Sequence, residues 1–221
     1  MTINRCVAAL TVAGSLFSLT TLTGCPAVLG VTAVTAASSA ADRRTVGIQV
    51  EDRNIQLKAN SALNEKLGDG AHVNVTVYNR KILLTGQAPD EFTKNRAEGA
   101  VSNIENVRAV VNDIQVSGAS SLTSRSNDAL ITGKVKASLI DAGDVSSSAF
   151  KVTTEAGAVY LMGLVTASEA DRAAQLASGV SGVQRVVKVI DEISETQLSR
   201  IKSGNRSGEP REPGPVSASG K

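Results

Sequence analysis

The feature that most constrains the fold is an internal repeat: the chain resembles itself when it is shifted by 76 or 77 residues. An offset of 76 aligns the start of each copy, 77 aligns the middle, and 76 returns towards the end. This period is longer than the repeats of typical solenoids, so it predicts two small tandem domains. The aligned pairs include Asp52/Asp128, Ile55/Ile131, Lys58/Lys134, Leu63/Leu139, Leu84/Leu161, Gly86/Gly163, Arg96/Arg172 and Ile114/Ile190.

The apolar spacing within each copy predicts the order helix, strand, strand, helix, strand. In the first copy, helical spacing over residues 55–67 and 97–104 flanks two alternating stretches, and a third strand is expected at 107–116. We predict an α+β fold with domains at residues 47–117 and 125–194, each a three-stranded sheet packed against two helices. Tight hairpin turns are expected at Asn79-Arg80 and Ala156-Gly157. Because each copy is near the lower size limit for an independent core, we also expect the domains to pack together.

The first 25 residues have the layout of a bacterial secretory signal. Arg5 supplies a positive charge, and an apolar run follows at residues 7–19. The segment then ends in Leu22-Thr23-Gly24-Cys25, which resembles the lipobox of bacterial lipoproteins. That resemblance implies removal of residues 1–24 and attachment of acyl chains such as palmitate at Cys25. A plain signal peptide with a chance cysteine is the alternative.

The segments that flank the repeat are expected to be linkers. Residues 25–46 are rich in Ala, Ser and Thr, and their apolar run is shorter than the roughly 20 residues that span a bilayer, so we interpret them as a tether. Pro26 stands where an Asp would resemble an inner-membrane retention signal, which favours the outer membrane. Residues 203–221 hold four Gly and three Pro without apolar periodicity, which predicts a disordered tail.

The composition argues against catalysis and nucleic-acid binding. One His and two Cys, one of them within the signal, cannot supply the usual zinc ligands or a nucleophile–base pair. Aromatic residues make up 2 % of the chain and Trp is absent, so base-stacking surfaces are nearly lacking. We therefore expect no enzyme activity, no metal or other cofactor and no nucleic-acid partner.

The second copy carries a pattern that resembles the BON domain of bacterial periplasmic and outer-membrane proteins. The pattern comprises Lys151-Val152-Thr153-Thr154-Glu155-Ala156-Gly157-Ala158-Val159-Tyr160-Leu161-Met162-Gly163, an Ala-rich helix, Gly182-Val183 and Val186-Val187. The first copy departs from it at Asn79-Arg80 and at Glu105-Asn106-Val107. Together with the lipobox, the two copies resemble dual BON-domain lipoproteins associated with cell division and outer-membrane stress.

This resemblance implies a non-enzymatic, lipid-anchored protein on the periplasmic face of the outer membrane, with enrichment at division sites. Proteins of this type support envelope integrity and bind anionic phospholipids, phosphatidylglycerol and cardiolipin, through the second BON domain. They also associate with the outer-membrane protein assembly machinery. An adaptor for that machinery, whose surfaces bind protein instead of lipid, is therefore the alternative function.

The resemblance assigns the lipid contact to the first helix of the second domain, at residues 128–141. In this helix Leu130, Lys134 and Ala137 form a stripe beside the predicted core positions, and Gly133 and Lys136 flank it. An apolar residue beside two lysines suits an anionic interface. An ordinary solvated helix face is the alternative. The family often has a Trp where Leu130 stands, so binding is expected to be weaker here.

The first copy serves as an internal control for that assignment. Its equivalents of Leu130, Lys134 and Ala137 are Asn54, Lys58 and Ser61, which offer no apolar wedge. We therefore expect lipid contact to belong to the second domain. Gly86 and Gly163, which end the second strand of each copy, are interpreted as structural glycines at a bulge or a close backbone approach.

Overall fold

The computed structural model describes residues 42–68 and 71–206. Cys25, the signal at residues 1–24, most of the proposed tether and the tail beyond residue 206 lie outside the described residues. The first domain contains helix α1 (Val46–Leu67), strands β1 (His72–Tyr78) and β2 (Lys81–Ala88), helix α2 (Glu91–Ser102), and strands β3 (Ala109–Asn112) and β4 (Gln115–Val116).

The second domain repeats this order. It contains helix α3 (Leu122–Ala142), a short 3₁₀ turn (Ser147–Ala149), strands β5 (Phe150–Glu155) and β6 (Ala158–Val165), helix α4 (Ala167–Ser178) and strand β7 (Arg185–Glu192). Helix α5 (Glu195–Arg206) follows. The predicted α+β fold of two αββαβ units is confirmed.

Each sheet has its second strand at the centre. β2 pairs antiparallel with β1 and parallel with β3, and β4 continues the parallel pairing in the same register. β6 pairs antiparallel with β5 and parallel with β7 in the same way. The helices of each domain cover one face of its sheet and close a core of Val, Ile, Leu and Ala.

The opposite faces of the two sheets pack against each other, so the molecule has four layers: helices, sheet, sheet, helices. Alternate residues of β6 divide between the two sides, with Val159 and Leu161 in the domain core and Tyr160 and Met162 in the domain interface. The buried interface cluster consists of Tyr78, Leu83, Ala158, Tyr160, Met162 and Val189.

Two boundaries differ from those expected from sequence. Residues 42–46, which the sequence places in the tether, contain Arg43 and Arg44, whose side chains form ion pairs with the folded domains. Helix α5 extends to Arg206, so residues 203–206 of the proposed disordered tail are helical. Leu198 is buried, which gives this otherwise polar helix an apolar contact with the rest of the fold.

Candidate functional site

A buried carboxylate fixes the first helix of each domain to the hairpin of its sheet. In domain 2, Asp128 of α3 accepts hydrogen bonds from the backbone N–H groups of Ala156 and Gly157, at 2.9 and 2.8 Å. Both turn residues have positive φ, as a type I′ turn requires. Asp128 therefore sets both the position and the rotation of α3 on the sheet.

Domain 1 uses the same device. Asp52 of α1 accepts from the N–H groups of Asn79 and Arg80, at 2.7 and 2.6 Å, and these residues also have positive φ. One difference is that Asp52 also pairs with Arg44 at 2.6 Å. The residue at the position of Arg44 in the second copy is Ser120, so Asp128 holds its turn without a cation.

The two glycines singled out in the sequence lie against the backbone of a neighbouring strand or turn. A Cβ on Gly86 would lie 2.0 Å from the carbonyl oxygen of His72, and Gly86 has a φ of +116°. A Cβ on Gly163 would lie 2.8 Å from the carbonyl oxygen of Ala149, without a positive φ. Both sites exclude a larger side chain, Gly86 more strictly.

The buried stripe of α3 determines which side chains the helix presents to solvent. Ile131, Val135 and Leu139 are almost fully buried in the domain core. The residues that the sequence assigned to lipid contact lie on the exposed side of the helix. At 3.6 residues per turn, positions 130, 133 and 137 share one stripe, and Lys134 and Lys136 lie on either side of it.

Ile140 is a further residue of this stripe, three positions beyond Ala137, and it is absent from the residues that the sequence assigns to lipid contact. Leu130 and Ile140 are each 64 % exposed, and together they place two large aliphatic side chains on one solvent-facing stripe of the helix. Extending the same helical spacing by one turn finds Ile140 in the sequence. We define the α3 outer face as Leu130, Gly133, Lys134, Lys136, Ala137 and Ile140.

No acidic side chain among the described residues neutralises the two lysines of the α3 outer face. Among the described residues, neither Lys134 nor Lys136 forms an ion pair or a hydrogen bond. Lys58, the domain 1 equivalent of Lys134, lies 3.8 Å from Glu105. The residue aligned with Glu105 in the second copy is Ser181, so this acidic neighbour is lost.

A small cavity of about 170 Å³ adjoins the α3 outer face at Ile140. Lys136 and Ile140 line one side, and Phe150 with the 3₁₀ turn lines the other. The cavity is lined mainly by apolar atoms. It therefore extends the apolar part of the α3 outer face inward.

The corresponding helix of domain 1 is not wholly polar on its outer side. Asn54 and Ser61 are exposed, as expected, but Val46, Val50 and Leu57 are also exposed, at 67, 56 and 62 %. The expectation that domain 1 offers no apolar wedge holds only for the three aligned positions. Positions 46, 50, 54, 57 and 61 recur at helical spacing, so these apolar side chains share the outer side of α1 with Asn54 and Ser61, and Leu57 is aligned with Gly133.

Polar contacts between the two sheets fix the orientation of the domains. The buried Glu155 carboxylate accepts from the side-chain amides of Asn74 and Gln87, at 2.8 and 2.7 Å. Asp191 pairs with Lys81 at 2.9 Å. Burial alone would raise the pKa of Asp191, but the hydrogen bonds from Lys81 and Asn79 hold this pKa below its usual value.

The residues immediately before α1 attach to both domains. Arg43 forms two hydrogen bonds with the Glu169 carboxylate, at 2.6 and 2.7 Å, and donates to the carbonyl of Leu164. These hydrogen bonds lower the pKa of Glu169. Arg44 stacks on the Tyr78 ring at 4.0 Å, and burial is the main cause that raises the pKa of Tyr78 to about 12.

Two kinds of feature are absent from the part of the chain that the structure describes. Within residues 42–68 and 71–206, no group of three His, Cys, Asp or Glu side chains is arranged to hold a metal ion. Over the same ranges, no helix has both the length and the apolar character that crossing a bilayer requires.

The sequence matches the BON domain family twice, over residues 51–118 and 127–193. These ranges together cover more than half of the chain, and each contains one αββαβ unit. The chain therefore belongs to the BON-domain family.

Two relatives that align with most of this chain indicate which type of BON-domain protein it is. The chain is 38 % identical to the outer membrane lipoprotein DolP of Haemophilus influenzae over 160 residues, which cover 71 % of this chain and 82 % of that protein. It is 34 % identical to a 21 kDa hemolysin of Actinobacillus pleuropneumoniae over 62 % of this chain and 71 % of the relative. The chain is thus a dual BON-domain protein of the DolP type, a lipoprotein of the outer membrane.

One solved structure that resembles this chain gives no further information about its fold or function. It is CdsD, a structural protein of the type III secretion system of Chlamydia trachomatis, and it is 11 % identical, with 73 % of this chain and all of that chain covered. The TM-score of 0.27 is too low to support an inference about fold or function.

Proposed function

We propose that the α3 outer face binds anionic phospholipid, so that BON domain 2 holds this outer-membrane lipoprotein against the leaflet and supports envelope integrity. The observation that carries the proposal is the combination of exposed Leu130 and Ile140 with two unpaired lysines on one helix face. A face of this composition satisfies both requirements of interfacial binding, apolar insertion and attraction to anionic headgroups.

The apolar contribution comes from two large side chains instead of one. Fully burying a Leu or Ile side chain is worth about 1.5–3 kcal/mol, and both side chains are about two-thirds exposed in the free protein. Gly133 and Ala137 between them are small, so they let the helix approach the surface closely. Ile140 therefore offsets part of the interfacial preference lost where the family often has a Trp at the position of Leu130.

The electrostatic contribution must be local because the net charge of the whole chain is only +2. Lys134 and Lys136 flank the apolar stripe, and each basic residue near an anionic surface contributes about 1 kcal/mol. Phosphatidylglycerol and cardiolipin supply the negative charge. Binding is then expected to weaken with rising salt, because screening acts on exposed charges.

We also propose that acylation at Cys25 is the primary anchor and that α3 provides a second contact. Two or three acyl chains give stable anchoring, and a tethered domain meets the leaflet at a high effective concentration. The α3 outer face then needs only modest affinity. In cell fractionation, a Cys25→Ala variant should leave the outer-membrane fraction, and a variant that stays there at the wild-type level would refute this anchor.

Vesicle flotation of the non-acylated mature chain, residues 25–221 carrying Cys25→Ala, tests the lipid proposal. The protein should float with vesicles containing phosphatidylglycerol or cardiolipin, remain in solution with phosphatidylcholine alone, and bind less at high salt. Failure to float with any composition would refute lipid binding.

Such a failure would favour the second candidate, an adaptor for the outer-membrane protein assembly machinery. The observation that favours this candidate is the set of exposed apolar residues on α1, Val46, Val50 and Leu57, which suit a protein partner. A pull-down from envelope extracts with the full chain, compared with a Val50→Glu variant, tests it. Unchanged recovery of assembly-machinery subunits with the variant would exclude α1 as their docking surface.

A further inference from the structure

An open cavity of about 410 Å³ lies where the two domains meet, and no residue of the α3 outer face lines it. Helix α1 of domain 1 forms one wall, and Lys151 of strand β5 in domain 2 contributes to the other. The residues that matter for its chemistry are Arg44, Asp52, Arg53, Leu57, Val77 and Lys151. Neither domain alone forms this cavity.

The lining carries three cationic side chains and one carboxylate. The carboxylate, Asp52, is buried, and its two oxygens accept from the hairpin N–H groups of Asn79 and Arg80 and from Arg44. Its charge is thus largely compensated within the protein. The positive charges of Arg53 and Lys151 have no such partner, so the cavity favours an anion.

Both of these cations have unused hydrogen-bond donors. The Lys151 ammonium donates to the carbonyl oxygen of Val77 at 3.2 Å, which leaves two of its three N–H groups available. Arg53 forms neither a hydrogen bond nor an ion pair with any side chain that the structure describes. Burial, together with the charges of Arg44, Lys136 and Arg53, lowers the pKa of Lys151, whereas Asp52 opposes this. A bound anion would relieve this crowding of positive charge.

We propose that this cavity binds a phosphate group between Arg53 and Lys151. A guanidinium offers a planar pair of donors that matches phosphate oxygens, and an ammonium adds a compact charge with freely oriented donors. The lining is mainly polar, and Leu57 is its one exposed aliphatic side chain, so the phosphate group itself supplies most of the recognition. The site shares no lining residue with the α3 outer face and does not rest on the function proposed for it.

The test follows the Lys151 side chain by NMR in the full chain, purified in a neutral detergent. Inorganic phosphate should produce a saturable shift of the Lys151 Cε–Hε signal and raise the pKa of Lys151. Sodium chloride at matched ionic strength should not. An Arg53→Ala variant should bind phosphate about tenfold more weakly, because one charge-assisted contact is lost.

The matched control is Lys58→Ala. Lys58 lies five residues after Arg53 on α1, pairs with Glu105 and does not line the cavity. This variant should leave phosphate affinity within about twofold of wild type, since it removes a distant exposed charge. Leu130→Glu should also leave the affinity unchanged, which separates this site from the α3 outer face. An absent or unsaturable shift, or equal binding by Arg53→Ala and wild type, would overturn the proposal.

The same titration distinguishes the two sources of a phosphate group. Dihexanoyl phosphatidylglycerol below its micellar concentration and glycerol 1-phosphate replace inorganic phosphate in separate arms. Tighter binding of the short-chain lipid than of both others supports a lipid headgroup, and tighter binding of glycerol 1-phosphate supports a soluble ester. Either result keeps the phosphate site, and binding of none of the three rejects it.

Discussion

The two domains share a framework but differ in the face of their first helix. In both, a buried aspartate holds the hairpin turn, Asp52 in one and Asp128 in the other. In both, a glycine in the central strand lies against neighbouring backbone. The outer side of the helix diverges: Asn54 stands in domain 1 where Leu130 stands in domain 2. Positions that specify the fold are duplicated, whereas exposed positions carry the difference in proposed function.

The first helices of the two domains, α1 and α3, also differ in an ion pair with a residue that is distant in sequence. Lys58 and Lys134 occupy equivalent positions, but of the two only Lys58 has an acid within ion-pair distance among the described residues, Glu105. The replacement of that acid by Ser181 leaves Lys134 available to an external anion. The same basic residue therefore has different electrostatic surroundings in two copies of one fold.

The largest loss of stability is expected when either of the two strand glycines is replaced by valine. Gly86→Val combines a 2.0 Å backbone clash with a φ that L residues rarely adopt, so we expect the free energy of unfolding to fall by about 3 kcal/mol or more. Gly163→Val meets a 2.8 Å clash without a positive φ, and a loss of about 1–3 kcal/mol is expected. Chemical denaturation measures both, and an equal or reversed order would contradict the geometry.

The next effect concerns the aspartates that hold the hairpin turns. Asp128→Ala leaves two turn N–H groups without an acceptor, so the free energy of unfolding should fall by about 1–3 kcal/mol. Asp52→Ala should cost more, since it also removes the partner of the half-buried Arg44. Thermal unfolding of the two variants compares these costs. A smaller loss for Asp52→Ala would show that Arg44 contributes nothing beyond the shared turn contacts.

Much of the framework is readable from sequence because it depends on local periodicity. Apolar residues recur every 2 residues in strands and every 3.6 residues in helices, and this spacing predicts the order of the elements. The repeat supports each assignment with a second copy. The nearly continuous apolar run of β6 is a signal for burial on both faces, as the interface at Tyr160 and Met162 shows. Apolar periodicity does not predict helix α5, because this helix is polar apart from a few residues such as Leu198.

The candidate site was less predictable, since its properties depend on contacts between distant residues. Helical spacing predicts which residues share a face with Leu130, and one more turn would have included Ile140. It does not show that Lys134 lacks the acidic neighbour that Lys58 has. The cavity around Arg53 and Lys151 requires the packing of both sheets, which no local pattern specifies.

Charge substitutions on the first helix of each domain test whether the two domains differ in membrane affinity. Leu130→Glu places a carboxylate in the apolar stripe, so binding to phosphatidylglycerol vesicles should fall by at least about tenfold. Lys134→Ala combined with Lys136→Ala should weaken binding less severely and flatten its salt dependence, because exposed charges are removed. Flotation across a salt series measures both effects.

The matched controls lie on α1. Asn54→Glu occupies the position aligned with Leu130, Val50→Glu replaces a similarly exposed apolar side chain, and Lys58→Ala corresponds to Lys134→Ala. All three should bind vesicles within about twofold of wild type, because single exposed charges far from a surface are screened. A loss with Asn54→Glu as large as with Leu130→Glu would remove the distinction between the domains.

A smaller effect is expected from the pH dependence of the ion pair between Arg43 and Glu169. Arg43 lowers the pKa of Glu169 below its usual value of 4.5, so the pair stabilises the fold above that pH and is lost as the pH falls through the lowered pKa. Glu169→Gln should reduce the free energy of unfolding at pH 7 by about 1 kcal/mol or less and diminish the further loss on acidification. Identical pH profiles for variant and wild type would contradict this role.

The most direct test of the central claim is a map of backbone amide shifts when the non-acylated mature chain meets anionic phosphatidylglycerol micelles. The account predicts shifts concentrated on α3, from Leu130 to Ile140, with little change along the outer side of α1 from Val46 to Asn64. Shifts concentrated on α1, or equal on both helices, would contradict the assignment of lipid binding to domain 2.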